Sequence, residues 1–254
     1  MRVEVLTLFP ELVEQVAQHG MPRIAVEQGA LTLKATQLRD YSHNRWKRVD
    51  ERPYGGGPGM VVQAEPLAAA LQAARTAAGP EAPVLLMSPQ GERFDQRWAE
   101  RLAATPSWIV VCGRYEGVDE RFLAAEVDAE LSLGDFVLSG GELAVMAMID
   151  AVARLLPGVL GDAESAGADS FSQGLLDHPH YTKPLDWRGV EAPAVLLSGN
   201  HQAIAEWRRK QALLATWLKR PDLLAGLDLK AADRRLLQQV LLEHLAAEPH
   251  IFRQ

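Results

Sequence analysis

Three glycine-bearing stretches follow apolar runs in this chain: "MSPQG" (87–91), "CGRYEG" (112–117) and "SLGDFVLSGG" (132–141). Glycines there leave backbone N–H and C=O groups open to a ligand, and three in succession describe a pocket for a flat, polar molecule with an apolar body. None matches G-x-x-x-x-G-K-[ST] or a strand-linked G-x-G-x-x-G, which argues against a P-loop or a dinucleotide fingerprint. No serine stands in G-x-S-x-G, and Cys112 has no histidine partner by spacing, so covalent hydrolysis is disfavoured. Cys112 ends an apolar run and reads as a small buried hydrophobe. Arg154 follows Asp150 at i, i+4 in an apolar helical pattern. That spacing permits a private salt bridge or a guanidinium aimed from a buried wall into a cavity. Asp162, Glu164, Asp169 and Asp177 crowd one segment, and spacing alone does not select a general base among them. His178-Pro179-His180 lacks further ligand spacing, and no metal site is assigned to it.

Basic residues gather in two runs. Between Arg39 and Arg52 stand five (Arg39, Arg45, Lys47, Arg48, Arg52), and between Asn200 and Pro221 five more (Arg208, Arg209, Lys210, Lys219, Arg220). Each alone reads as a solvated face. With Trp46, Trp207 and Trp217 interleaved, the pair points toward a surface that meets phosphates. The first run leads into "PYGGGPGM" (53–60), a backbone that turns sharply or lets something come close.

The elements that must hold these residues alternate. Apolar runs at 3–9, 31–38, 82–89, 107–113 and 129–134 predict strands, and helix-period segments lie between them. Such alternation implies an α/β fold with a mostly parallel sheet covered on both faces. Sites in such sheets form at the carboxyl ends of the strands. In "LSGGELAVMAMIDAVARLL", Ser139 and Glu142 have capping-box spacing, Pro157-Gly158 ends the helix, and the shortage of charge predicts a helix buried nearly all round. "GDAESAGADSFSQG" (161–174) has linker composition, and two amphipathic helices follow at roughly 200–219 and 229–246. The expected organisation is a catalytic domain over 1–160, a flexible linker over 161–173 carrying a carboxylate, and a mainly helical domain over 174–254.

A chain of 254 residues that is 48% hydrophobic can bury a sizeable core. No window approaches the roughly 20 apolar residues of a membrane span. One cysteine forbids an intramolecular disulfide and fits a reducing compartment, so the expected address is the cytoplasm. The net charge of -7 disfavours a wholly basic nucleic-acid-binding surface.

"LFPE", "RPYGGGPGM", "MSPQG", "CGRYEGVDER", "GDFVLSGGE", "LPGVLG", "DSFSQGLLDHPHYTKP" and "VLLSGNH" together resemble the bacterial tRNA (guanine-N1)-methyltransferases, a family of the SPOUT, or α/β-knot, class. The likeness runs in order from the first strand to about Leu224. It implies a deep trefoil knot, S-adenosyl-L-methionine as methyl donor, and N1 of the guanosine immediately 3′ of the tRNA anticodon as acceptor. It also implies an obligate homodimer whose active site is shared between subunits, and a Mg²⁺ dependence for which the sequence offers no ligand set. By motif match the cofactor pocket comprises Leu86, Met87, Ser88, Pro89, Gly113, Tyr115, Glu116, Gly117, Ser132, Leu133, Gly134, Asp135, Phe136, Val137, Leu138, Gly140 and Gly141. Leu86 and Met87 stand where an aromatic or a different aliphatic is expected in that family.

The resemblance assigns Asp169 as general base and Arg154 as stabiliser of O6. Guanine N1 holds its proton above neutral pH, and a carboxylate removes it only with help for the charge that moves to O6. The implied tRNA contacts are Arg45, Lys47, Arg48, Tyr54, Gly55, Gly56, Gly57, Ser170, Asp177, His180, Arg208, Arg209 and Lys210. The 53–60 loop then either faces substrate or braces the knot. Three alternatives stand beside this reading: a SPOUT enzyme for another RNA position, a non-catalytic RNA-binding protein of the same fold, and an enzyme using the glycine loops for nucleotide phosphates.

Overall fold

The computed structural model describes residues 1–161 and 169–247. Asp162, Glu164 and the tail beyond residue 247 lie outside the described residues. The chain divides into two compact units, Met1–Ala163 and Glu164–Gln254.

The first unit runs β1 (Arg2–Thr7), α1 (Pro10–Glu14), α2 (Gly20–Glu27), β2 (Thr32–Gln37), β3 (Asp50–Glu51), β4 (Val61–Val62), α3 (Ala64–Ala78), β5 (Val84–Arg93), α4 (Gln96–Ala103), β6 (Ser107–Cys112), α5 (Glu120–Glu126), β7 (Ala129–Ser132) and α6 (Glu142–Ala153). Five strands form one sheet in the order β2-β1-β6-β5-β7. Every neighbouring pair in it is parallel. The expected α/β architecture with a parallel sheet is therefore present.

Period-two alternation sends the strand side chains into two separate cores. Val3, Val5, Trp108, Val110 and Cys112 pack on one face with Ala99, Val145, Met148 and Ile149 from α4 and α6. Leu6, Ile109, Val111 and Leu86 pack on the other with Leu67, Leu71 and Phe122 from α3 and α5. Both faces are apolar because both are covered, which explains why the strands read as unbroken hydrophobic runs. Short helices are fixed by local caps: Asp95 accepts from Trp98 N at 3.1 Å to start α4, and Asp119 accepts from Arg121 N at 3.0 Å to start α5.

Two features of α6 differ from expectation. Ser139 and Glu142 form no capping box; Gly141 is the N-cap, without a side-chain cap bond, and Glu142 turns inward with 1% exposure. Nor is the helix buried all round, since Leu143, Ala147, Asp150 and Arg154 lie on an exposed stripe at helical spacing. The two charged residues of this stretch after Glu142 share the outer stripe with Leu143 and Ala147.

In the second unit, β8 (Asp186–Trp187) pairs antiparallel with β9 (Val190–Glu191), and α7 (His201–Lys219), α8 (Pro221–Ala225) and α9 (Ala231–Ala247) follow. Asn200 caps α7 by accepting from Ala203 N at 3.1 Å. Leu175 and Leu213 centre a small core joined by Leu224, Leu227, Leu236 and Leu237. Residues beyond Leu224, to which the sequence assigned no role, thus complete the packing of this unit.

Candidate active site

The carboxyl ends of β5, β6 and β7 lie side by side, so the loops that leave them must converge. Their backbones approach so closely that side chains are excluded. A Cβ on Gly141 would lie 2.9 Å from Cys112 Cα and 2.9 Å from Met87 Cβ, and one on Gly113 would lie 2.8 Å from Met87 O. Gly141 N donates to Gly113 O at 2.9 Å, closing one loop upon the other. Tyr115, between them, adopts a left-handed backbone with φ 60, a conformation a bulky residue takes only when its surroundings impose it.

The loops enclose a cavity of about 350 Å³, within the range of small-molecule sites. Sixteen of the seventeen residues expected at a cofactor pocket line it: Leu86, Met87, Ser88 and Pro89 from β5, Gly113, Tyr115, Glu116 and Gly117 after β6, and Ser132, Leu133, Gly134, Phe136, Val137, Leu138, Gly140 and Gly141 after β7. Asp135 is not among them; its side chain is 96% exposed and lies 3.5 Å from Arg93. Aliphatic walls from Leu86, Leu133 and Leu138 would fit a nucleobase. The charged lining residues are Arg114 against Glu116, Glu120 and Glu130, three carboxylates to one guanidinium. That balance favours a cationic ligand over a phosphate-rich one.

Arg114 was not singled out in the sequence, although it lies within "CGRYEG". Its Nε is 3.2 Å from Glu142 Oε1 and 3.2 Å from Oε2, and its guanidinium stacks 4.3 Å from the centre of the Phe9 ring. Thr7 Oγ1 donates to Glu142 Oε1 at 2.8 Å. The buried carboxylate therefore ties β1, α6 and the loop after β6 into one network beneath the cavity. Beside it Cys112 is 2% exposed, and burial pushes its thiol far above the ordinary range. It is the inert hydrophobe expected from its position.

Loop 53–60 spans the antiparallel pair β3–β4. Gly55, Gly56, Gly57 and Gly59 all have positive φ, and Tyr54 is 98% exposed. A side chain on Gly59 would collide with the side chain of Glu116. Glu116 N donates to Met60 O at 2.9 Å, and Val62 N donates to Gly117 O at 2.9 Å. The end of the loop braces the cavity wall while Gly55–Gly57 stay open.

Arg154 follows the last residue of α6 and is exposed rather than set on a buried wall, because it continues the outer stripe of that helix. In the second unit Asp169 and Ser170 open a turned segment in which Ser172 N donates to Asp169 O at 3.3 Å. Asp177 N donates to Ser170 Oγ at 2.9 Å, and His180 Nε2 lies 2.8 Å from Asp177 Oδ2. Several basic residues expected at phosphates have protein partners: Arg209 binds Asp233 through two bonds of 2.9 and 2.8 Å, Lys210 lies 3.0 Å from Glu243, and Lys47 lies 2.9 Å from Asp40. Arg45 covers the exposed Trp46 ring at 4.4 Å, and Arg208 is exposed.

A parallel α/β protein with a carboxylate-rich cavity under converging loops is the class that fold and site define. The chain belongs to the tRNA (guanine-1)-methyltransferase TrmD family, whose model matches residues 1–226. It is 56% identical to a tRNA (guanine-N(1)-)-methyltransferase of Halorhodospira halophila over 96% of this chain and 93% of that one. It is 58% identical to that of Methylococcus capsulatus over 89% and 90%, and 51% identical to that of Proteus mirabilis over 96% and 98%. Among the described residues no helix is long and apolar enough to cross a membrane.

Proposed function

We propose that the protein transfers a methyl group from S-adenosyl-L-methionine to N1 of the guanosine immediately 3′ of the anticodon in tRNA. The observation that carries the donor assignment is the cavity's excess of carboxylates, Glu116, Glu120 and Glu130 against Arg114, around aliphatic walls. A sulfonium is a cation attached to a flat nucleoside, and this lining suits it; a nucleotide triphosphate would meet the wrong charge. When bound, the donor supplies an electrophilic methyl group.

This chain's residues then have to make N1 nucleophilic. In this reading Asp169 takes the N1 proton, and Arg154 holds the charge that develops on O6. Exposure of Arg154 agrees with a partner that arrives from solvent. Tyr54, Gly55–Gly57, Arg45 and Arg208 are offered to the RNA, whereas Lys47, Arg209 and Lys210 first serve the fold through their ion pairs.

The homodimer with a shared site is supported by the exposed apolar side chains of Leu143 on α6, at 53% exposure, and of Phe136 and Val137. The trefoil knot rests on the family resemblance; the hydrogen bond from Gly141 N to Gly113 O, which holds the loops after β6 and β7 together, is compatible with it. A reducing cytoplasm agrees with one unpaired cysteine. For Mg²⁺, no residue set here is assigned.

The test is Asp169→Ala with Arg154→Ala beside it. Both variants bind S-adenosyl-L-methionine as the parent does and lose methyl transfer by at least about a hundredfold, the scale of a general base or an oxyanion donor. Near-normal turnover of Asp169→Ala would overturn the assignment.

A further inference from the structure

Asp177, His178 and His180 bring three metal-ligating side chains together, with one donor atom of each within 4.8 Å of the others. Backbone and side-chain contacts hold the group in place. Asp177 N donates to Ser170 Oγ at 2.9 Å, and Asp177 Oδ1 accepts from His178 N at 2.7 Å. The His178 ring lies edge-on to Trp207 at 6.4 Å, and its side chain is only 16% exposed. The two imidazoles are tilted by 43° at 4.4 Å rather than stacked flat.

Proton placement follows from the partners. His178 Nδ1 lies 3.1 Å from Pro179 O. A carbonyl only accepts, so Nδ1 carries the proton and Nε2 presents a lone pair; this backbone lock is how metal-bound histidines are usually oriented. His178 Nε2 is 3.7 Å from Asp177 Oδ1, and His180 Nε2 is 2.8 Å from Asp177 Oδ2. Tetrahedral zinc with bonds of ~2.0–2.1 Å separates its ligand atoms by about 3.3 Å. The two observed separations run to different oxygens of Asp177, and one donor atom from each residue lies within 4.8 Å of the others, so rotation about the side-chain torsions has to draw the three together to admit the ion.

The geometry points to a site for a divalent transition metal of the zinc class, held by Asp177, His178 and His180 and open on its solvent side. Two imidazoles and one carboxylate, without a thiolate, suit zinc, cobalt or nickel, whereas magnesium prefers an all-oxygen shell. On binding, His180 moves its ring proton from Nε2 to Nδ1, and a metal–nitrogen bond replaces the Nε2–H···Oδ2 hydrogen bond. The His180 side chain is 71% exposed, which leaves room for a water or a substrate oxygen in the fourth position. The proposed methyl transfer is not routed through the metal, although Asp177 and His180 are also among the tRNA contacts implied by the sequence.

The experiment takes full-length, tag-free protein stripped with chelator. Zn²⁺ is titrated by calorimetry, and Co²⁺ is followed by its visible ligand-field absorption. The expected result is one Zn²⁺ per chain, bound at least tenfold more weakly by His178→Asn/His180→Asn and unchanged in His43→Asn/His201→Asn. Melting of the metal-free variants reports folding; should the first double variant be unfolded, His180→Asn carries the test, because its side chain is the most exposed of the three. Equal Zn²⁺ affinity in parent and folded variant, or no Zn²⁺ binding by the parent, would overturn the proposal.

Discussion

Arg114 and Glu142 form a two-oxygen grip: the Arg114 Nε is 3.2 Å from each carboxylate oxygen of Glu142, which is 1% exposed. The pair joins the loop after β6 to the first turn of α6, the two segments that close upon each other at Gly113 and Gly141. Removing one partner leaves the other largely buried with its charge uncompensated. Glu142→Ala should therefore cost about 3 kcal/mol, the lower end for a broken buried pair. Chemical denaturation measures it, and a loss within experimental error would mean that the pair contributes nothing to the cavity floor.

Gly141 has an ordinary helical backbone, φ -76 and ψ -7, so alanine is conformationally acceptable there and only space forbids it. The neighbours, Cys112 Cα and Met87 Cβ at 2.9 Å, belong to two strands and do not swing aside. Gly141→Ala should destabilise by about 1–3 kcal/mol through overpacking and weaken S-adenosyl-L-methionine binding. Gly161→Ala, whose Cβ meets nothing within 4 Å, is the control and should leave melting unchanged.

Acid sensitivity has a local source. The Arg121 guanidinium hydrogen-bonds to Asp119 and holds its carboxyl down to about 2. A depressed folded pKa stabilises above the unfolded value, near 4, and that stabilisation is lost as pH falls through the folded value. Between about pH 4 and pH 2 the parent should lose more stability than Asp119→Asn. Parallel stability profiles for the two proteins would remove Asp119 from the account.

Much of the first unit was legible. Val3, Val5, Trp108 and Val110 are apolar runs because both sheet faces are covered, and such runs announce parallel strands directly. The motifs of the three loops, through the family resemblance they carry, named sixteen residues of the cavity wall but missed Arg114, Glu120 and Glu130, which carry most of its charge. Glu142 was misread because Ser139-x-x-Glu142 has the spacing of a local cap. What decides its direction is Thr7, 135 residues away, and Arg114, 28 residues away. Arg209 and Lys210 read as a phosphate grip for the same reason: Asp233 and Glu243 come from α9, a helix whose packing against α7 no local pattern reveals. Tyr115's left-handed backbone had no signature in its residue type, since a positive φ is uncommon for a bulky side chain.

The most direct test of the account is methyl transfer from labelled S-adenosyl-L-methionine to two tRNA transcripts that differ only in guanine or adenine immediately 3′ of the anticodon. The account predicts label on the guanine transcript alone, at N1. Equal labelling of both transcripts, or label on neither while S-adenosyl-L-methionine still binds, would contradict it.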